Sequence, residues 1–122
     1  MFVKLCLALP LWYGAGCTPS VPIPPPEPEK VRFALDLDLG TASFEYAPSA
    51  SSSNAIVYIF NRDLGEGIIT TAQPDGRVLP TEPFPAMSGD SIVITFETEE
   101  QLSSTCVRMA DGQSSSAAEC VL

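Results

Sequence analysis

The sequence predicts an all-β fold, an antiparallel sandwich of about seven short strands. Three observations predict it. Apolar and polar residues alternate with period two from Val31 to Leu39, the pattern of a strand buried on one face. Ala55–Phe60 and Ile92–Phe96 are compact runs of β-branched and aromatic residues, which suit a pleated sheet. Turn-forming clusters such as Pro74-Asp75-Gly76 and Ser88-Gly89-Asp90 recur between such runs, where a rigid φ and a permissive glycine favour reversals.

Along the chain, Val31, Phe33, Leu35, Leu37 and Leu39 form the apolar side of a first strand, with Asp36 and Asp38 on its solvent side. Ala42–Tyr46 adds a short second segment, and the serine-rich stretch from Ala47 to Asn54 has the composition of an exposed loop. Ala55–Phe60 reads as a central strand covered on both faces. Asn61–Gly67 supplies turn chemistry, Ile68–Gln73 a threonine-rich strand, and Arg77–Leu79 a brief continuation. Prolines at 80, 83 and 85 place the next stretch at an edge or between sheets. Ile92, Ile94 and Phe96 point one way from a further strand, Glu99–Leu102 suits one helical turn, and Thr105–Met109 with Ala118–Leu122 closes the chain as a hairpin.

Before the domain lies a different kind of sequence. Thr18–Lys30 contains six prolines, which fix φ and remove amide donors, so a disordered polyproline spacer is expected over 17–30. At about 3.1 Å per residue it would reach on the order of 40 Å. A ligand for a proline-binding groove is the other use of such a stretch. The domain proper is then 31–122.

Charge and composition exclude several kinds of chemistry. The chain carries 15 acidic against six basic residues, a formal net charge of −9, so nucleic acid is not an expected partner. It has no histidine, which removes the commonest general base and the usual zinc ligand. The serines of 49–53 and 114–116 lack any Gly-x-Ser-x-Gly or Ser-x-x-Lys context, so no activated nucleophile is indicated. Asp36 with Asp38, or Glu97 with Glu99 and Glu100, are carboxylates without a cleft motif. Asn61, Asp63 and Glu66 are the best-placed oxygen ligands for calcium, but their spacing fits no known loop. No cofactor, catalytic residue or metal ligand is assigned, and the chain is not expected to be an enzyme.

The first seventeen residues are of a third kind. Lys4 supplies the positive start, Leu5–Tyr13 an apolar core too short to span a bilayer, and Gly14-Ala15-Gly16-Cys17 the small-residue site ending in cysteine. This segment resembles the export signal of bacterial lipoproteins, which implies cleavage after a signal peptide at 1–16 and a lipid anchor on Cys17. Gly14 stands where that family favours leucine, and Gly14 with Gly16 also suits an ordinary secretory cut. Thr18 after the cysteine, in place of aspartate, implies the outer membrane over the inner one. With Cys6 removed and Cys17 acylated, Cys106 and Cys120 remain as one pair in a compartment that permits disulfides.

The order of elements from Ala55 through Ile92 is similar to bacterial immunoglobulin-like or fibronectin type III-like modules, although the only tryptophan, Trp12, falls in the signal segment. These resemblances imply a non-enzymatic, membrane-anchored lipoprotein presenting a binding, adhesion or structural module. Its expected partners are the membrane and an envelope protein or glycan. The alternatives are an accessory subunit of a larger envelope assembly and, last, a small secreted hydrolase.

Overall fold

A computed structural model describes residues 23–99, 101–113 and 120–122. They form an immunoglobulin-like sandwich of two antiparallel four-stranded sheets. Six strands carry it: β1 (Val31–Asp36), β2 (Thr41–Tyr46), β3 (Ile56–Asn61), β4 (Glu66–Thr71), β6 (Ser91–Thr98) and β7 (Gln101–Arg108). Two more, β5 (Phe84–Pro85) and β8 (Gly112–Gln113), are two residues each. One sheet has the order β5-β2-β1-β8 and the other β4-β3-β6-β7.

The core lies between the sheets. Val31 and Phe33 of β1, Phe44 and Tyr46 of β2, Val57 and Ile59 of β3, and Ile92, Ile94 and Phe96 of β6 are all buried. An aromatic file runs through it: Phe33 to Phe44 at 5.9 Å between ring centroids, Phe44 to Tyr46 at 6.4 Å, and Tyr46 edge-on to Phe96 at 5.0 Å. The last contact crosses from one sheet to the other, where such geometry adds to area burial.

Tyr46 carries a polar group into this core. Its hydroxyl oxygen accepts the Glu27 N–H at 2.9 Å. Burial pushes the phenol from 10.0 up to about 12; the Glu27 N–H opposes that rise, and the Glu27 and Glu29 carboxylates add to it. A folded value above the unfolded one means this group's stabilisation is complete below pH 10.0 and is lost as pH climbs toward about 12. Denaturant titrations across that window should show stability falling with pH, and Tyr46→Phe should flatten the slope.

Several expectations change in detail. β1 stops at Asp36: the Asp36 carboxylate accepts the N–H groups of Asp38 and Leu39 at 3.0 and 3.1 Å, which bends the chain into a turn. Leu37 and Leu39 are therefore 71% and 73% exposed, not strand residues facing the core. β3 is covered on one face only, because Ile56 and Phe60 remain 40% and 42% exposed on the outside. The expected helical turn near Glu99 is a β-hairpin turn, with Glu99 at φ 44° and β7 already under way at Gln101. Arg77–Leu79 makes an isolated bridge between Val78 and Tyr46 and no strand.

The chain's end also differs from a simple hairpin. After β7 it crosses to the other sheet, where Gly112 and Gln113 pair with Phe33 and Arg32 of β1. It returns by Cys120, whose N–H donates to the Cys106 carbonyl at 2.9 Å. The Cys106–Cys120 disulfide joins Cα atoms 5.0 Å apart across a sequence separation of 14. Loop closure of that length is worth about 3 kcal/mol on the chain-entropy account.

The structured part begins before Val31. Ile23 packs against the core cluster and donates its N–H to Gln101 Oε1 at 3.0 Å. The Pro26 carbonyl accepts Thr105 Oγ1 at 2.8 Å, Pro26 and Pro28 are buried, and Pro28–Lys30 forms a 3-10 turn. Prolines dock at low entropic cost because φ is already fixed, and each still offers a carbonyl. This half of the expected spacer is thus part of the domain.

Candidate functional site

Cys17, the segment 1–16 read as an export signal and the serines of 114–116 lie outside the described residues. Cys106 and Cys120 are joined in the disulfide already described. Among the described residues no helix is long and apolar enough to cross a membrane, and no group of three or more His, Cys, Asp or Glu side chains is placed to hold a metal ion.

The candidate chemical groups are mostly engaged in holding loops. Ser52 is fully buried, with its hydroxyl donating to the carbonyls of Ser49 and Gly76 at 3.2 and 2.8 Å, and Ser53 Oγ donates to the Pro74 carbonyl at 2.6 Å. The serine-rich loop is therefore stitched to the Pro74–Gly76 turn. Asp36 caps its own hairpin, and Glu97 accepts a hydrogen bond from the Tyr58 hydroxyl. That bond, ahead of desolvation and the Glu97 charge, holds the Tyr58 phenol above its ordinary value.

Asn61, a candidate cation ligand from sequence, is fully buried and acts as a junction. Its Oδ1 accepts the N–H groups of Asp63 and Leu64 at 3.0 and 3.2 Å. Its Nδ2 donates to the Pro85 carbonyl at 3.1 Å and to Asp90 Oδ2 at 2.8 Å. Asp90 Oδ2 also accepts the Met87 N–H, and Asp63 Oδ2 accepts the Ser91 N–H, both at 2.8 Å. Of the oxygens that suggested a calcium loop, Asn61 Oδ1 and Asp63 Oδ2 thus bind amide hydrogens, while Glu66 opens β4 as an exposed residue.

Two hairpin turns at this end of the sandwich are built alike. Asp36-Leu37-Asp38-Leu39-Gly40 joins β1 to β2, and Asn61-Arg62-Asp63-Leu64-Gly65 joins β3 to β4. In each, the first side chain caps the third and fourth N–H groups. In each, the glycine adopts a positive φ, 67° and 73°, and donates to the first carbonyl, at 2.9 and 2.8 Å. The repeat was visible in the sequence as Asp/Asn-x-Asp-Leu-Gly, and its hydrogen-bonding role came only with the structure.

The consequence is an apex of apolar side chains on pinned turns: Leu37, Leu39, Leu64 at 47% exposure and Met87 at 54%. The apex adjoins the Arg108 end of β7, whereas Ile23 meets β7 at Gln101, its other end. A strand of this length separates the two by roughly 24 Å.

One shallow cleft of about 250 Å³ lies on the outer side of β1 and β2. It gathers Lys30, Arg32 and Arg77, but Glu29 and Glu45 line it too, and no serine or cysteine does. Arg32 sits directly opposite Glu45 in the β1–β2 register, so the charges interleave and do not converge. No protein-family model matches the chain, nor does any curated protein or solved structure.

Proposed function

We propose that the chain is exported, acylated on Cys17 and held at a membrane surface as a non-enzymatic binding module, with its apex turned toward an envelope protein or glycan. The observation that carries this reading is the polarity of the domain. The chain enters at the Gln101 end, and Leu37, Leu39, Leu64 and Met87 are exposed at the other. Large apolar side chains on rigid turns are costly to leave in water and mark contact surfaces.

The docked prolines set the height of the module. From Cys17 to Ile23 the chain advances six residues, which at most about 3.6 Å each limits the tether to about 20 Å. The module would therefore sit half as far from the lipid as a free polyproline spacer allows.

Expression of the full chain in a bacterial host tests the reading. The protein is expected in the membrane fraction, starting at residue 17 and heavier by two or three acyl chains on intact-mass spectrometry. Cys17→Ser should abolish the added mass and release the protein. Recovery of an unmodified, full-length polypeptide from the cytosol would overturn the proposal.

A further inference from the structure

We infer that the free edge of β4 is a docking site for an extended, proline-free segment of a partner protein that alternates apolar with basic side chains, added as a further strand. This inference stands on the fold and does not depend on export or on Cys17.

The other long edges are covered. β2 is met by β5, by the Val78 bridge, and by Thr81, which exchanges hydrogen bonds with Phe44. β1 is met by β8 and by Asp111, whose carboxylate accepts the Leu35 N–H at 2.9 Å. β7 is met by the Ile23–Pro26 segment and by Cys120. β4 has six residues paired without a bulge to β3 and, although β5 lies close to it, no strand among the described residues is paired on its other side.

The register shows which backbone groups stand free. Ala72 N–H donates to the Ala55 carbonyl just beyond the strand. Hydrogen-bonded pairs alternate with non-bonded ones in an antiparallel ladder, so Thr70, Ile68 and Glu66 bond to β3. Gly67, Ile69 and Thr71 therefore direct both N–H and C=O outward, and no hydrogen bond among the described residues meets them. Such a row is a template for strand addition. β4 also lacks the usual guards, having no proline, lysine or arginine.

Side chains beside that edge supply the apolar half of the match. Ile69 is 66% exposed and lies opposite Tyr58, while Phe60 faces Gly67 across the ladder. A Cβ at Gly67 would fall 2.2 Å from the Ile59 carbonyl oxygen, so no side chain fits there and the Phe60 ring stays open. Together they border a groove of about 390 Å³ along β3 and β4.

Charge selects the occupant. β4 itself carries Glu66 and no basic residue; of the two arginines flanking this stretch, Arg77 is paired with Asp75 at 3.3 Å and Arg62 donates to the Val121 carbonyl, and the chain's formal net charge is −9. A second copy carries the same negative net charge and is repelled, whereas a basic segment is attracted.

The test uses the full chain and a synthetic peptide of alternating valine and lysine, followed by titration and amide exchange. Binding should slow exchange at Gly67, Ile69 and Thr71 and leave Ile68 and Thr70 unchanged. Affinity should fall with added salt. N-methylating the peptide on its bonding edge should weaken binding at least tenfold. Ile69→Pro removes an outward N–H that β3 does not use, together with the exposed Ile69 side chain, so it should keep the melting temperature within a few degrees and lose binding at least tenfold. Glu66→Lys should weaken binding several-fold. The inference is overturned if the N-methylated peptide or a valine–glutamate peptide binds equally well, if Ile69→Pro binds normally, or if the chain alone forms a dimer that Ile69→Pro dissolves.

Discussion

Replacing Asn61 with alanine is expected to cost about 3 to 4 kcal/mol, because four hydrogen bonds end on one side chain that is fully buried. A typical domain is stable by only about 5 to 15 kcal/mol, so the loss would be a large share. Urea unfolding should show a lower midpoint, and amide exchange should accelerate first at Asp63 and Leu64, whose caps are gone. Asn61→Asp separates acceptor from donor. It keeps the oxygen that caps Asp63 and Leu64 but sets a second carboxylate against Asp90 and the Pro85 carbonyl. Two carboxylates sharing a site raise one another's pKa. Asn61→Asp should therefore be strongly destabilised at neutral pH and recover as acid protonates the pair. Equal stability of Asn61→Ala and the parent chain would mean that the three loops are held by something else.

Gly76→Ala is expected to be of similar severity for a different reason. Gly76 sits at φ +87°, and a Cβ built there would lie 1.7 Å from the Ser49 carbonyl oxygen and 2.8 Å from its nitrogen. Left-handed backbone costs an L-residue about 1 to 2 kcal/mol by itself, and displacing the Ser49–Ser53 loop adds to it. That displacement would also strain the bond from buried Ser52 to the Gly76 carbonyl. The total should exceed about 3 kcal/mol. Gly65 provides the control, with φ +73° and nothing within 4 Å of its Cβ position. Gly65→Ala should cost only about 1 to 2 kcal/mol, the backbone term without the collision. Thermal unfolding of the two variants side by side checks the comparison; equal losses would show that the Ser49 contact carries no weight.

Both positions bear on how the apex and the serine loop are organised. Asn61 fixes the turns that expose Leu64 and Met87, and Gly76 lets the opposite end close around Ser52. Each lies in a turn that sequence identifies by composition, Asn61-Arg62-Asp63-Leu64-Gly65 and Pro74-Asp75-Gly76. Neither turn's partner is legible there, since Ser49 is distant in sequence from Gly76 and Asp90 from Asn61.

The amino-acid sequence by itself determined the class of fold. Alternation at Val31 and Phe33, and again at Ile92, Ile94 and Phe96, assigns one face of each strand to the core, because side chains of a pleated strand point alternately to its two sides. It also determined the Cys106–Cys120 pair and the acidic balance. Only the tertiary structure decided which apolar residues stay in water. Leu37 and Leu39 continue the alternation of β1, yet the Asp36 carboxylate captures two amides and ends the strand first. Ile56 and Phe60 have the composition of a fully buried strand, yet no layer among the described residues covers the outer face of β3. Pro26 and Pro28 read as spacer, yet both are buried, and the Pro26 carbonyl accepts Thr105 Oγ1 of β7. A local pattern says which residues share a side. Whether that side meets another layer, a turn or solvent depends on chain segments far away in sequence, and it is those contacts that left the apex leucines and the edge of β4 exposed.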